Sequence, residues 1–442
     1  MNLPDSFVNR TMVLLGDEYP ALEEALKMPV PTSVRVNDKT DFRPSDDVVP
    51  WCKDGYYLQE RPLFTADPLL HAGAYYVQEA SSMFLSQAVE QYLSSAERVL
   101  DLCAAPGGKS TLLLQTLPDD CLLVSNEIIR SRANILYENV VKWGNANVIV
   151  TNNEPSAFRK LSGYFDAIVI DAPCSGEGMF RKDPNAINEW SLQQVAVCAK
   201  RQRDILASVW DALKPNGILI YSTCTFNKEE NEENAAWICG ELGATVLSVD
   251  LKGNNNITTT DYGYRFYPHK TRGEGFFLSV MRKNETDESC QNFRIKSAKI
   301  KEIKSLNVSL TLSDKKDWIY AASENEIKAY LRNFVDDFCF FEQSFNCLCS
   351  GIVLGEMKAK NFIPSHQIAL SKELDKKDIE TVELDYKRAI SYLKNETIYL
   401  PEIEKTGMLL VCYKNVPLGW VKNVGNRCNN LYPSAWRIRM NL

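Results

Sequence analysis

Between residues 98 and 283 the chain alternates short apolar runs with helix-patterned stretches, and nothing else in the sequence limits the fold as much. Arg98-Val-Leu-Asp-Leu-Cys, Leu122-Leu-Val-Ser-Asn-Glu, Val148-Ile-Val-Thr, Phe165-Asp-Ala-Ile-Val-Ile and Gly217-Ile-Leu-Ile-Tyr each read as a strand. Between them lie helix patterns opening at Lys109, spanning Arg130 to Trp143, and running from Gln193 to Leu213, the last closed by Lys214-Pro-Asn-Gly. This alternation predicts an α/β domain with a doubly wound, mostly parallel sheet of Rossmann-like design. Ala244-Thr-Val-Leu-Ser-Val and Gly275-Phe-Phe-Leu-Ser-Val-Met complete seven strands.

Such a sheet gathers its chemistry outside the carboxyl ends of the strands. Two cysteines are delivered there, Cys174 in Asp171-Ala-Pro-Cys-Ser-Gly-Glu-Gly and Cys224 in Tyr221-Ser-Thr-Cys-Thr-Phe, so they are expected to share one crevice. Upstream, Ala104-Ala-Pro-Gly-Gly forms a tight turn from the first strand into the helix that begins at Lys109. Gly107 and Gly108 let the backbone approach a ligand, and amides at the helix start favour a carboxylate or phosphate. Glu127 ends the second strand about 20 residues beyond the turn, where an acid accepts hydrogen bonds from ribose hydroxyls. Neither Gly-x-Gly-x-x-Gly nor Gly-x-x-x-x-Gly-Lys-Ser/Thr is present in this turn. An adenosine ligand without phosphates fits better, and S-adenosylmethionine becomes the leading cofactor. An ordinary βα loop is the bland alternative; Glu127 and the two strand-end cysteine motifs weigh against it.

Asp101-Leu-Cys-Ala-Ala-Pro-Gly-Gly-Lys-Ser, Asp171-Ala-Pro-Cys-Ser-Gly-Glu-Gly and Tyr221-Ser-Thr-Cys-Thr-Phe resemble, in order and spacing, the motifs of the Nol/Nop/Sun RNA 5-methylcytosine methyltransferases. Met179-Phe-Arg-Lys-Asp-Pro and Tyr75-Tyr-Val-Gln-Glu-Ala-Ser-Ser-Met extend the likeness. The carboxyl-terminal extension is similar to that of the RsmF branch of bacterial ribosomal RNA methyltransferases. The resemblance implies a seven-stranded S-adenosylmethionine-dependent methyltransferase core, an N-terminal α+β RNA-binding lobe and a C-terminal PUA-like β-rich domain. It also implies a cofactor set of Cys103, Ala104, Ala105, Pro106, Gly107, Gly108, Lys109, Glu127, Arg132, Glu154 and Asp171.

Carbon 5 of cytosine accepts a methyl group only after a thiolate adds to carbon 6. The resemblance assigns that attack to Cys224 and the release of product to Cys174. Asp171 would hydrogen-bond the exocyclic amine and a protonated ring nitrogen 3. Lys109 would lower a thiol pKa or hold a substrate phosphate. Family members tend to carry an aspartate near the adenine amine at the end of the third strand, where this chain has Asn152-Asn-Glu154-Pro; Glu154 is the candidate, with Asn153 behind it.

Other features have plainer readings. Cys52, Cys121, Cys198, Cys239, Cys290, Cys339, Cys412 and Cys428 read as small buried hydrophobes, and Cys103 as packing within the turn. Cys347-Leu-Cys349 hints at a metal, but the chain has no Cys-x-x-Cys pair and its three histidines, His71, His269 and His366, are far apart in sequence, so no metal site is expected. Glu138-Asn-Val matches a tripeptide of DNA cytosine-5 methyltransferases, where it follows Pro-Cys; here it precedes Cys174 and reads as helix surface and core.

A chain of 442 residues exceeds one typical domain. The expected division is an RNA-binding lobe at 1–92, the catalytic domain at 93–284, a linker and small module at 285–361, and the PUA-like domain at 362–442. Asn284-Glu-Thr-Asp-Glu-Ser is polar enough for a linker, and the basic stretch from Arg294 to Lys304 marks a boundary. No segment approaches the length of a membrane span, and thirteen cysteines without a pairing pattern suit a reducing compartment, so a cytoplasmic monomer is expected. The net charge of −7 argues mildly against nucleic acid. From Lys405 onward, however, no acid occurs, and Lys405, Lys414, Lys422, Arg427, Arg437 and Arg439 are interspersed with Tyr413, Trp420, Tyr432 and Trp436. This pattern suits phosphate contact and base stacking, or equally a β domain with an aromatic core and a solvated basic face. Phe362-Ile-Pro-Ser-His-Gln-Ile-Ala-Leu, Gly419-Trp and Leu431-Tyr-Pro look like PUA-like landmarks. Arg35 and Asn37 of Ser33-Val-Arg-Val-Asn read either as RNA contacts or as a salt-bridged strand with a turn-forming asparagine. The reading is an enzyme that methylates carbon 5 of cytosine in small-subunit (16S) ribosomal RNA. The alternatives are a methyltransferase of DNA or another RNA, and a non-catalytic ribosome-assembly factor.

Overall fold

Five parallel strands form the centre of the molecule: β1 (Arg98–Asp101), β2 (Leu122–Asn126), β3 (Val148–Thr151), β4 (Phe165–Asp171) and β5 (Leu213–Thr223). They lie in the spatial order β3-β2-β1-β4-β5. The computed structural model describes residues 2–45, 47–285, 293–296, 300–303, 310–323, 326–359 and 361–440. Cys290, residues 286–289 of the polar linker, and 297–299 and 304 of the basic stretch lie outside the described residues.

Chain direction across the sheet reverses at β1, because β2 and β3 lie to one side of it and β4 and β5 to the other. The loops leaving β1 and β4 therefore part around a crevice, the place where doubly wound sheets bind ligands. Side chains of each strand alternate between two cores. Leu100, Leu122, Val124, Ile168, Ile170 and Leu219 pack on one face with helix α3 (Leu192–Val209). Val99, Leu123, Val148, Val150, Val169 and Ile220 pack on the other with α1 (Gly108–Thr116) and α2 (Arg130–Trp143). Both faces are covered, which is why these strands read as continuous apolar runs.

Phe276–Lys283 runs antiparallel against β5, and Ala244–Val246 pairs with its far edge, completing the seven expected strands. Three more bring the sheet to ten: the hairpin of Thr258–Thr260 with Gly263–Phe266, and Cys347–Ser350, which closes the open edge of β3. Cys347-Leu-Cys349 is thus an edge strand, and among the described residues no acid, histidine and cysteine group could hold a metal. A separate antiparallel sheet of Trp318–Ser323, Glu326–Leu331, Ile352–Lys358 and Asn361–Pro364 crosses residue 362, where the expected domain border lies.

In the N-terminal lobe, Thr32–Val36 is flanked by Gly55–Leu58 and Tyr75–Val77. Its Arg35 is 1% exposed. The guanidinium donates to Gln78 Oε1 at 2.8 Å, Thr111 Oγ1 at 2.6 Å and Gln115 Oε1, and lies 4.4 Å from the Trp143 ring centroid. Asn37, also buried, donates to the carbonyls of Gly73 and Trp143, each at 2.9 Å. An RNA role for either residue is thereby corrected: both fasten the lobe to the catalytic domain, and Arg35 does so by hydrogen bonds to neutral groups.

The C-terminal domain pairs Thr381–Glu383 parallel with Gly407–Tyr413, which continues antiparallel to Val416–Asn423 and Cys428–Asn430. Its core is shared with the N-terminal lobe: Val34, Val36, Leu69 and Tyr75 pack in one cluster with Ala389, Leu393, Leu409 and Val421. Trp420 and Tyr432 are 2% exposed and belong to apolar cores, so stacking on RNA is corrected for those two. Trp436 is half-buried against Tyr137 and His366. Lys414, Lys422, Arg427, Arg437 and Arg439 are exposed. Cys52, Cys121, Cys198, Cys339, Cys412 and Cys428 are buried, while Cys239 is half-buried. Among the described residues no helix is long and apolar enough to cross a membrane.

Candidate active site

The turn from β1 into α1 carries Cys103, Ala104, Ala105, Pro106 and Gly107. Gly107 has φ 114°, a left-handed conformation that favours glycine, and an added Cβ would lie 3.3 Å from Leu136 Cδ1. Helix α2 holds the turn from outside: Asn139 donates to the Pro106 carbonyl at 2.8 Å and Arg132 to the Ala105 carbonyl at 2.9 Å. The tripeptide that imitates the DNA enzymes therefore contributes a clamp through Asn139. Gly108 and Lys109 open α1, whose first amides have no partner within the helix. Cys103 is half-buried, and burial pushes its thiol well above the ordinary range.

Glu127 is buried just past β2. Its carboxylate accepts the Ile129 amide at 2.9 Å and faces Arg132 at 3.5 Å, so Arg132 ties the acid to the turn. Asp101 beneath the turn was legible only as part of a motif. It is fully buried, accepts a 2.7 Å hydrogen bond from Ser110, and its Oδ1 has no partner among the described residues. Burial pushes this carboxyl up to about 7.

Beyond β3 the two adenine candidates differ. Glu154 is exposed. Asn153 is held on both sides: its amide donates to Asn126 Oδ1 at 3.0 Å, and its Oδ1 accepts the Asn346 amide at 3.1 Å. Asn346 immediately precedes the strand that closes the sheet edge, so the small module within 285–361 reaches this end of the crevice. Nothing in the sequence around Asn346 signals that contact, because its donor is a backbone amide.

β4 and β5 deliver the remaining groups. Lys109 Nζ lies 2.8 Å from Asp171 Oδ2, and Ser222 donates to Asp171 Oδ1 at 2.9 Å. Burial works against the charge on Lys109, but Asp171 outweighs it and leaves the lysine pKa above its ordinary value. Lys109 is therefore committed to Asp171, 5.3 Å from the Phe276 ring centroid, and is not splayed toward solvent. Cys174 Sγ and Cys224 Sγ are 3.0 Å apart and both are free thiols. The Cys224 amide also points at Cys174 Sγ, 3.4 Å away. The hydrogen bond with Cys224, and then burial, hold the Cys174 thiol well above its ordinary pKa. Two buried carboxylates passed over in the sequence, Glu177 and Glu230, lie behind these thiols.

The arrangement offers a cradle for a ligand at the end of β1 and β2, and beside it an acid–base pair with two contiguous sulfurs. Comparison with known proteins gives the same outline. The family model for 16S rRNA methyltransferase RsmB/F matches residues 91–282, that for the N-terminal domain of 16S rRNA methyltransferase RsmF matches 3–80, and that for the methyltransferase RsmF PUA domain matches 379–438. Ribosomal RNA small subunit methyltransferase F of Shewanella oneidensis is 31% identical, over 94% of this chain and 92% of its own. Its counterpart from Citrobacter koseri is 29% identical, over 97% and 95%. The crystal structure of a methyltransferase homolog protein from Pyrococcus horikoshii superposes with a TM-score of 0.55 at 28% identity, covering 63% of this chain and 95% of that one. Matched in all three regions and along nearly its whole length, this chain belongs to the RsmB/F family of 16S rRNA methyltransferases, with RsmF-type N-terminal and PUA domains.

Proposed function

We propose that the chain transfers the methyl group of S-adenosylmethionine to carbon 5 of a cytosine in small-subunit ribosomal RNA, through a covalent bond between Cys224 and carbon 6. One observation carries this reading: two thiols 3.0 Å apart beside a lysine-held aspartate, next to a glycine-turn cradle.

The cradle fits S-adenosylmethionine. Amides at the start of α1 suit its carboxylate, and Glu127 its ribose hydroxyls. Asn153, fixed from both sides, is the better adenine partner than exposed Glu154. When bound, this cofactor supplies an electrophilic methyl group.

Cys174, its thiol held above the ordinary pKa by the contact with Cys224 and by burial, keeps its proton, and the proposed chemistry takes Cys224 as the sulfur that attacks as thiolate. As Cys224 Sγ bonds to carbon 6, the ring electrons shift to carbon 5, which becomes the nucleophile. Asp171, oriented by Lys109 and Ser222, faces the exocyclic amine and ring nitrogen 3; nitrogen 3 takes up a proton from solvent as sulfur adds, Asp171 stabilises that protonated edge, and the proton returns to solvent when the product is released. Once carbon 5 is methylated, Cys224 is a neutral thioether and no longer holds the proton on Cys174. Cys174 then gives its proton to solvent and takes the one on carbon 5; the carbon 6–sulfur bond breaks, the ring double bond returns, and Cys224 leaves as thiolate. The cytosine must be unstacked for sulfur to reach carbon 6. The exposed cations of the C-terminal domain suit RNA phosphates. All these groups come from one chain, which makes a monomer the proposed active form, working in the cytoplasm where small subunits assemble.

The test is transfer of radiolabelled methyl from S-adenosylmethionine to unmodified small-subunit RNA, free and assembled, followed by nuclease mapping. Label on carbon 5 of a cytosine is expected. Label elsewhere, or none on either substrate while cofactor binding is intact, would contradict the reading.

A further inference from the structure

The loops bearing Cys174 and Cys224 arise from different strands, yet a set of bonds running in both directions joins them just behind the sulfurs. Glu177, three residues past Cys174 and 1% exposed, accepts the amides of Phe226 and Asn227 from the Cys224 loop on one carboxylate oxygen, each at 2.8 Å. Its other oxygen accepts Trp190 Nε1 at 3.1 Å. Glu230, six residues past Cys224 and fully buried, accepts the Ser175 amide from the Cys174 loop at 3.0 Å. It also accepts Gln202 Nε2 at 2.8 Å and Asn227 Nδ2 at 2.7 Å, and Gln202 in turn donates to the Pro173 carbonyl at 3.0 Å. Between the two acids, the Gly178 amide donates to the Cys224 carbonyl at 2.9 Å. An added Cβ on Gly178 would lie 2.9 Å from that same carbonyl oxygen and 2.5 Å from the Gly275 carbonyl oxygen, so the loops approach as closely as a glycine permits.

Neither acid has an arginine or lysine among these partners. An acceptor-only carboxylate surrounded by donors is satisfied in one arrangement of its donors, which gives such a bond set geometric authority over the loops it joins. Resting on the proposed cytosine chemistry, we infer that Glu177 and Glu230 form a reciprocal clasp that sets the separation of the two thiols and so governs how fast the Cys224 adduct is released. They are positioning residues: they act through Cys174 and Cys224 without reaching the base. Glutamine at either position keeps the shape but turns an N–H₂ toward an existing donor in both amide orientations, which loosens the clasp.

Thiol separation can be read without RNA. Diamide takes one hydrogen from each of two neighbouring thiols onto its nitrogen–nitrogen double bond as the sulfur–sulfur bond forms, and timed quenching with mass spectrometry counts the Cys174–Cys224 linked peptides. In the full-length protein, Glu177→Gln and Glu230→Gln are expected to cross-link about 10-fold more slowly than wild type, and to raise the ratio of covalent RNA adduct to methylated product by a similar factor. Trp190→Phe removes one donor from Glu177 but no bond between the loops; it lowers the melting temperature while leaving both readouts at wild-type values. Should one glutamine variant not fold, the other carries the comparison. Wild-type cross-linking rates in a folded glutamine variant, or equal slowing in Trp190→Phe, would overturn the clasp. Slow cross-linking in the glutamine variants with no RNA methylation by wild type would uphold the clasp and overturn the cytosine reading instead.

Discussion

Lys109 Nζ and Asp171 Oδ2 are 2.8 Å apart, and through this contact the helix after β1 fixes an acid at the end of β4. Removing the ammonium leaves Asp171, among the described residues, with Ser222 as its side-chain partner. Lys109→Met is expected to lower the single-turnover rate of methyl transfer about 100-fold. Lys109→Arg restores only part of it, because a planar fork does not fit a site built for a compact ammonium.

Glu127, held by the Ile129 amide and Arg132, is the proposed acceptor of the cofactor's ribose hydroxyls. Glu127→Ala should weaken S-adenosylmethionine binding about 10- to 100-fold, measured by titration calorimetry. At saturating cofactor the turnover number should change far less.

Asp101 makes stability depend on pH. Its carboxyl sits at about 7 in the folded chain against an ordinary 3.8, so the folded state holds the proton more tightly. Stability from this group is fully present below pH 3.8, falls as pH rises toward about 7, and is level above that. Asp101→Asn removes the dependence. The melting temperature of the variant relative to wild type should therefore rise between about pH 4 and pH 8, with a difference on the order of a few kcal/mol at the upper end. An offset that does not change with pH would contradict the assignment.

Arg35 joins lobe to core from a buried position, so Arg35→Ala should cost on the order of 3 kcal/mol in urea unfolding. The salt dependence of RNA binding by the folded variant should match wild type, since a buried guanidinium neutralises no phosphate. A shallower salt slope would return Arg35 to the RNA surface.

What the sequence disclosed follows from how each part is built. β1 to β5 are apolar on both faces, so their runs announced themselves, and the residues of the cofactor turn and the thiols sit at strand ends that those runs locate. Arg35 was ambiguous because a buried arginine satisfied by neutral acceptors looks, in one dimension, like an exposed one. Trp420 and Tyr432 were ambiguous for the converse reason: aromatics interleaved with cations read alike whether the rings are displayed or packed, and Trp420 is buried only two residues from exposed Lys422. Glu177, visible only within a motif, and Glu230 accept backbone amides, and Asn346 donates its own; a backbone amide leaves no mark on the residue that carries it. The Cys347–Ser350 strand was missed because an edge strand of small, mixed residues lacks the continuous apolar signature of the strands inside the sheet.

The central claim is that Cys224 attacks and Cys174 releases. Wild type, Cys174→Ala and Cys224→Ala are each incubated with S-adenosylmethionine and small-subunit RNA, and protein–RNA adducts are counted on denaturing gels. The account predicts that Cys174→Ala accumulates a covalent RNA adduct and Cys224→Ala forms none. An adduct trapped by Cys224→Ala and absent from Cys174→Ala would reverse the two roles and contradict it.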